Sequence, residues 1–159
     1  MTTIQDVKTF LLGMGIEVRE YEQPTPNSVK AAQAVGCAPA EIAKTILFIV
    51  GGEPVVIVTC GDLKVNTSKL KQATGIKGKA RLPDAEEVIR HTGFAPGGVC
   101  PFLLPGGLRI LIDSSMRRFE RVYAAAGNDH SAVPITIDRL IEITGGEEVD
   151  VCMAVQTGA

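Results

Sequence analysis

Two features of the chain have the residue types that chemistry on an acyl or phosphoryl group requires. The first is Lys44, which stands between a short helical segment and the strongly apolar run Thr45-Ile46-Leu47-Phe48-Ile49-Val50. A lysine that opens a buried strand either snorkels to solvent or points its ammonium into a cleft, where it is a point charge for a phosphate or a carbonyl oxygen. The second is the loop from Gly93 through Phe94-Ala95-Pro96-Gly97-Gly98-Val99-Cys100-Pro101 to Phe102. Gly97, Gly98 and Pro101 make it too rich in breakers for helix or ordinary strand. With no side chains in the way, its main-chain N–H groups are able to point at a ligand; the alternative is a loop that merely turns the chain.

The other candidates have plainer readings. Asp113 closes an apolar strand ahead of Ser114-Ser115, a place where an aspartate caps the following turn. Asp129 and His130 are adjacent in the polar loop Gly127-Asn128-Asp129-His130-Ser131. In an extended segment neighbours point to opposite sides, which is poor geometry for a catalytic dyad. Cys37, Cys60, Cys100 and Cys152 are scattered with no C-x-x-C pair, and the only histidines are His91 and His130. Free, buried thiols are therefore expected, with neither a disulfide framework nor a metal site; Cys100 is read as packing. No G-x-S-x-G elbow, Walker loop or G-x-G-x-x-G motif occurs, so no protein nucleophile with an attendant base is nominated.

The elements that must position these residues read as α+β. A helix follows Thr3-Ile4-Gln5-Asp6 and ends near Gly13, and Ile16 to Tyr21 alternates like a half-buried strand. Ser28 is expected to cap a short Ala-rich helix. The apolar run after Lys44 and its successor, Pro54 to Cys60, are joined by Gly51-Gly52-Glu53 as a hairpin. Asn66 or Thr67 caps a helix closed by Gly75, and Asp84 caps another. A strand to Asp113, a helical turn near Met116, a strand from Arg121 to Ala125, a helix over residues 138–143 and a last strand over residues 149–153 complete the set. At 159 residues this suits one domain spanning residues 1–159, with a Val/Ile/Leu/Ala core and no tryptophan. No run has the apolar length of a bilayer span and the start lacks signal-peptide character, so a cytoplasmic protein is expected.

The net charge is −2, which argues against general nucleic-acid coating. Its distribution is more informative. Lys64, Lys69, Lys71, Lys77, Lys79 and Arg81 occur with no acid among them, while acids gather at residues 84–87 and 147–150. A one-sided basic face fits a polyanion touching one side; a solvated helix face is the alternative.

Lys44-Thr45-Ile46-Leu47-Phe48, the Gly61-Asp62 turn, Asn66 to Leu70, Thr92-Gly93-Phe94, Gly97-Gly98-Val99-Cys100-Pro101-Phe102, Ile112-Asp113 and Tyr123-Ala124-Ala125-Ala126-Gly127 occur in an order that resembles the YbaK/ProX family of aminoacyl-tRNA editing domains. The likeness runs from about Phe10 to Val151. It implies a YbaK/ProX-like fold, a mixed, mostly antiparallel sheet curled as a pseudo-barrel with short helices around it. It also implies metal-free, cofactor-free, substrate-assisted hydrolysis of mischarged aminoacyl-tRNA in trans, of the Cys- or Ala-tRNA(Pro) type. By the resemblance Lys44 holds the substrate's 3′ end, and Gly97 and Gly98 present N–H groups to the ester. Tyr21, Thr45, Pro101, Asp113, Ala125, Gly127 and His130 would meet the substrate, and the 64–81 lysines with Arg81 the tRNA phosphates. The implied partners are tRNA and, as a second candidate, prolyl-tRNA synthetase. Ala125 stands where some relatives place serine and Gln23 where many carry histidine, so the amino acid removed is not read from the likeness. A non-catalytic tRNA- or synthetase-binding module of the same fold, or a hydrolase for small amino-acid esters, are the competing readings.

Overall fold

The computed structural model describes residues 1–155. Helix α1 (Ile4–Leu12) begins with a reciprocal cap: the Asp6 N–H donates to the Thr3 hydroxyl at 3.3 Å and the Thr3 N–H to the Asp6 carboxylate at 2.8 Å. Its Val7 and Leu11 are buried. Strand β1 is only Arg19–Glu20, and helix α2 (Ser28–Val35) follows. Asn27, not Ser28, caps α2, accepting the Lys30 N–H at 2.9 Å; Ser28 is the first helical residue. A 3₁₀ turn at Pro39–Glu41 leads into β2 (Ile42–Val50), and β3 (Glu53–Cys60) returns antiparallel to it. Gly51 and Gly52 join them at φ +55° and +84°, the left-handed pair that a two-residue hairpin turn needs.

Strand β4 (Leu63–Val65) is followed by helix α3 (Thr67–Thr74), capped by Asn66, then by β5 (Ala80–Arg81) and helix α4 (Ala85–Thr92). In α4 the Asp84 and Glu87 side chains and backbone amides bond reciprocally. Next come β6 (Arg109–Asp113), a 3₁₀ turn at Ser114–Arg118, β7 (Val122–Ala124), β8 (Ser131–Ile135), helix α5 (Ile137–Thr144), β9 (Glu147–Val149) and β10 (Cys152–Ala154). The architecture is α+β around a mixed sheet in the order β1-β8-β7-β2-β3-β6-β9. β5 also pairs with β2, and β4 with β10 forms a separate ribbon. The path has two ends, β1 and β9, so the sheet is not closed.

β2 and β3 lie under cover on both faces, which is why they read as unbroken apolar runs. Leu47, Ile49, Val56 and Val58 enter the larger core with Phe94, Phe102 and Leu140. Phe48, Val50, Val55 and Ile57 enter a second core with Leu70 and Val151. The sequence expects one strand at residues 149–153; there are two, because Val149 pairs with Asp113 of β6 and Cys152 with Val65 of β4. It expects residues 16–21 as a strand, of which only Arg19 and Glu20 pair, with Ala132 and Ser131. It gives no strand at residues 131–135, where Pro134 breaks the pattern; the segment nevertheless pairs with both β1 and β7.

One topological detail leaves an edge of the sheet open. β3 occupies one edge of β2 along its length. On the other edge β7 runs parallel to β2 only at Ile42 and Ala43, and β5 covers only Ile49 and Val50. Between them residues 44–48 have no strand neighbour on that side, and the sheet splits there.

Candidate functional site

A cleft of about 560 Å³ opens at this split. Ile42, Ala43, Lys44 and Thr45 of β2 form one wall and Tyr123, Ala124 and Ala125 of β7 another. Successive strand residues point to opposite faces, yet Lys44 and Thr45 both reach the cleft, so it wraps around the free edge of β2. The start of α2, with Asn27, Ser28 and Val29, lies over it, and Gly97 and Val99 close the side.

The Lys44 ammonium is half-buried and donates to the Leu63 carbonyl oxygen. Burial pushes its pKa below the ordinary lysine value; Cys152, Asp62 and Cys60 nearby act in the opposite direction. Asp62 is itself gripped by Arg118 through two bonds of 3.1 and 2.9 Å, and this pair holds its carboxyl below the usual range. The ammonium therefore faces the cleft with donor capacity beyond its bond to Leu63. Thr45 carries the other unmet polar group of this wall: its hydroxyl oxygen is buried with no hydrogen-bond partner among the described residues.

The glycine loop is a tight turn. The Gly98 N–H donates to the Ala95 carbonyl at 3.0 Å, with Pro96 and Gly97 between and Gly97 at φ +87°. This corrects the expectation for Gly98: its amide is occupied within the loop and the residue is buried. A Cβ at position 98 would lie 2.7 Å from the Gly127 carbonyl oxygen and 3.3 Å from the Asn128 Cα. Gly98 is thus small so that the two loops touch, whereas a Cβ at Gly127, which has φ +108°, would lie 3.1 Å from the Phe94 ring. Gly97 and Val99 are the residues of this loop on the cleft wall, and their amides have no hydrogen-bond partner among the described residues.

The remaining expected contacts divide. Ala125 lines the cleft. Pro101 is buried behind the loop, and Cys100 beside it is a buried thiol that desolvation pushes up to about 12. Asp113 is 2% exposed and faces inward, accepting the Val151 N–H at 2.9 Å, the Ser115 N–H at 3.2 Å and the Ser115 hydroxyl. It ties β6 to the C-terminal segment and does not reach the cleft. Tyr21 lines a neighbouring hollow with Gln23, Lys30 and Gln33, separated from the cleft by Thr25 and Pro26, which border both.

His130 stands just outside the cleft, but Asn128 and Asp129 line it. The poor geometry expected of Asp129 and His130 does not hold: residues 127–130 bend after Gly127 at φ +108°, and Asp129 Oδ1 lies 2.9 Å from His130 Nδ1. Sequence reasoning also passed over Val99, Asn128 and Thr25. The one available signal was the density of polar residues in the 25–28 and 127–131 loops.

Of the basic segment, Lys69 is bound to Asp150 and to the Cys152 carbonyl, both at 3.1 Å, and Arg81 to Glu87 by two bonds of 2.8 Å. Lys64, Lys71, Lys77 and Lys79 are exposed and have no ion-pair partner among the described residues. Among the described residues no group of three His, Cys, Asp or Glu side chains converges as a metal site, and no helix is long and apolar enough to cross a membrane.

Relatives share this architecture. The chain is 36% identical over 138 residues to the uncharacterized protein YwhH of Bacillus subtilis, covering 86% of this chain and 87% of that protein. It is 30% identical over 142 residues to a proline–tRNA ligase of Bacillus licheniformis, covering 84% of this chain and 24% of the ligase, so it spans about a quarter of that relative. The crystal structure of a protein proposed as a trans-editing enzyme for prolyl tRNA synthetase superposes with a TM-score of 0.85 at 25% identity, over 97% of this chain and 99% of the other. Hypothetical protein APE2540 superposes at 0.83 with 27% identity, over 92% and 99%. The sequence model described as aminoacyl-tRNA editing domain matches residues 22–143. Every residue named above as lining the cleft, from Thr25 to Asp129, falls inside that span, and the chain belongs to the aminoacyl-tRNA editing domain family.

Proposed function

We propose that this chain is a trans-acting deacylase that hydrolyses the ester of mischarged aminoacyl-tRNA. One observation carries the reading: a cleft at the split between β2 and β7 sets a half-buried lysine ammonium against a loop with unengaged backbone amides, in a chain of this family. Lys44 would hold the 3′-terminal nucleotide. The Gly97 and Val99 amides are the donors available to the ester oxygen as charge develops on it, a role for which one donor contributes about 3–4 kcal/mol. Among the described residues no nucleophile with an attendant base lines the cleft; Cys100 is buried and its pKa is raised to about 12. Water is then the attacking group, with a ribose hydroxyl of the substrate, or the amino acid's own side chain, assisting. The ester C–O bond breaks and the proton passes to the departing ribose oxygen.

The wall residues Ala43, Ala124 and Ala125 favour a small amino-acid side chain, in keeping with alanine or cysteine on tRNA(Pro). Lys64, Lys71, Lys77 and Lys79 remain available for tRNA phosphates, with prolyl-tRNA synthetase a further candidate partner. The test is a deacylation panel of mischarged tRNAs with the wild type and Lys44→Ala. The wild type is expected to release at least one amino acid, and the variant, still folded by circular dichroism, to lose about 100-fold or more in kcat/KM, the scale of removing one charged stabilising contact. Full activity of the variant overturns the role of Lys44. Tight tRNA binding without release of any amino acid favours a non-catalytic module.

A further inference from the structure

The cleft is polar in an ordered way. Among the residues on its walls Lys44 is the one base and Asp129 the one acid. Several bonds fix the Asp129 loop. The Asp129 carbonyl accepts both the N–H and, at 2.8 Å, the hydroxyl of Thr25, while the Tyr21 N–H donates to the His130 carbonyl at 2.8 Å. The Ser131 hydroxyl accepts the Ala126 N–H at 3.0 Å.

The side-chain network orients the carboxylate. Asn128 Oδ1 accepts the His130 backbone N–H at 3.1 Å, which fixes the orientation of that amide. Its Nδ2 therefore faces His130 Nε2, at 3.2 Å, and donates to it. An accepting Nε2 leaves the imidazole proton on Nδ1, which donates to Asp129 Oδ1 at 2.9 Å. In this arrangement the imidazole holds the Asp129 carboxylate in place through one oxygen. Oδ1 is engaged, and Oδ2 has no partner among the described residues on a side chain that is 47% exposed.

The position relative to the ester follows from packing. The loop bearing Gly97 and Val99 touches the Asp129 loop directly, at Gly98 against Gly127 and Asn128. A carboxylate one residue beyond Asn128 thus lies beside the wall that offers backbone amides. In an aminoacyl ester the group next to the scissile carbonyl is the Cα, and the cation it bears is the α-ammonium.

We propose that Asp129 receives the α-ammonium of the aminoacyl group, so that the cleft selects esters with a free α-amine and rejects N-acylated ones. The inference rests on the deacylase reading for the identity of its ligand. Its test does not require turnover. The probes are non-hydrolysable 3′-alanylamino-3′-deoxyadenosine and its N-acetyl derivative, titrated by calorimetry against the wild type, Asp129→Asn and Asp129→Glu; the asparagine keeps the acceptor for His130 and removes the charge. The wild type is expected to prefer the free amine by about 10-fold, the scale of a charge-assisted bond to a half-exposed carboxylate. Asp129→Asn should bring the two ligands within about threefold, and Asp129→Glu should restore part of the preference. A structural role for Asp129 would weaken both ligands alike and leave their ratio unchanged. Equal wild-type affinities, a ratio undisturbed in Asp129→Asn, or no binding of either ligand overturns the proposal. Selective binding by a wild type that releases no amino acid from any mischarged tRNA would instead overturn the deacylase reading and leave this site standing.

Discussion

Thr45→Val is the substitution that best separates stability from function. The Thr45 hydroxyl oxygen is buried and unpartnered, so the folded protein has lost its hydration and gained no bond in return. Such a group costs about 1–3 kcal/mol. Valine has the same branching at Cβ, suits a strand at least as well, and faces Val58 across the β2–β3 ladder. Replacing the hydroxyl by a methyl should therefore stabilise the fold by about 1 kcal/mol, taking the low end because relaxation around the methyl absorbs part of the gain. For a chain of this length that is about 2–4 °C in Tm. Urea denaturation should show a raised midpoint with an unchanged slope, the sign that stability and not the compactness of the unfolded state has changed. Under the proposed function the hydroxyl is an acceptor or donor kept for the ligand, and its loss should lower kcat/KM by about 3- to 10-fold, the worth of one neutral hydrogen bond. A destabilised variant would refute the reasoning, because it would mean that the hydroxyl has a partner in solution. A more stable variant with undiminished deacylation would remove Thr45 from the site.

Lys44→Met should be more stable than the wild type at neutral pH, and the gap should narrow as pH rises. The folded-state pKa of Lys44 is depressed by burial below its unfolded value of 10.5, so the cost of keeping it charged is fully present below the folded pKa and is relieved between that pKa and 10.5. Paired urea denaturations of both proteins from neutral to alkaline pH read this directly, and a gap that widens with pH would contradict it. Iodoacetamide on the native protein should modify Cys37, which is half-buried, well before the buried Cys60, Cys100 and Cys152; burial lifts the last two thiols to about 12. Mass spectrometry of timed samples checks the order, and early labelling of Cys100 would reopen it as a reactive thiol.

What the sequence made legible was chemistry that acts within a few residues. The helix starts at Thr3–Asp6 and Asp84 and the Gly51-Gly52 turn each depend on neighbours along the chain and are found where expected. Of Asn66 and Thr67 it is Asn66 that caps, and the cap expected at Ser28 is one residue earlier, at Asn27. What depended on distant segments was not legible. Asp113 reads as the cap of the following turn, and it does accept the Ser115 N–H, but the bond from Val151, far along the chain, which ties it inward, left no trace in the local sequence. Lys69 and Arg81 looked like members of one basic face until Asp150 and Glu87 met them. Pro134 hid a strand whose pairing partners lie on either side of it in the sheet.

The same contrast explains why the two candidate features of the site differ in what survives. Lys44 belongs to β2, whose register is held by β3 along its whole length, and that register decides between solvent and cleft, the two places its sequence position left open. The loop was recognisable by composition, but composition does not say which amide is free. That is decided by the i to i+3 bond of the turn, which occupies Gly98, and by the contact with Gly127, which turns position 98 away from the cleft. Two adjacent glycines therefore serve different purposes. Gly97 adopts a left-handed φ that the turn requires, with nothing within 4 Å of a Cβ there, whereas Gly98 is limited by space alone. A side chain at 97 meets backbone strain and still leaves the loop seated. At 98 it would push the donor loop away from the Asp129 loop, and so separate the groups proposed to face the ester and its ammonium.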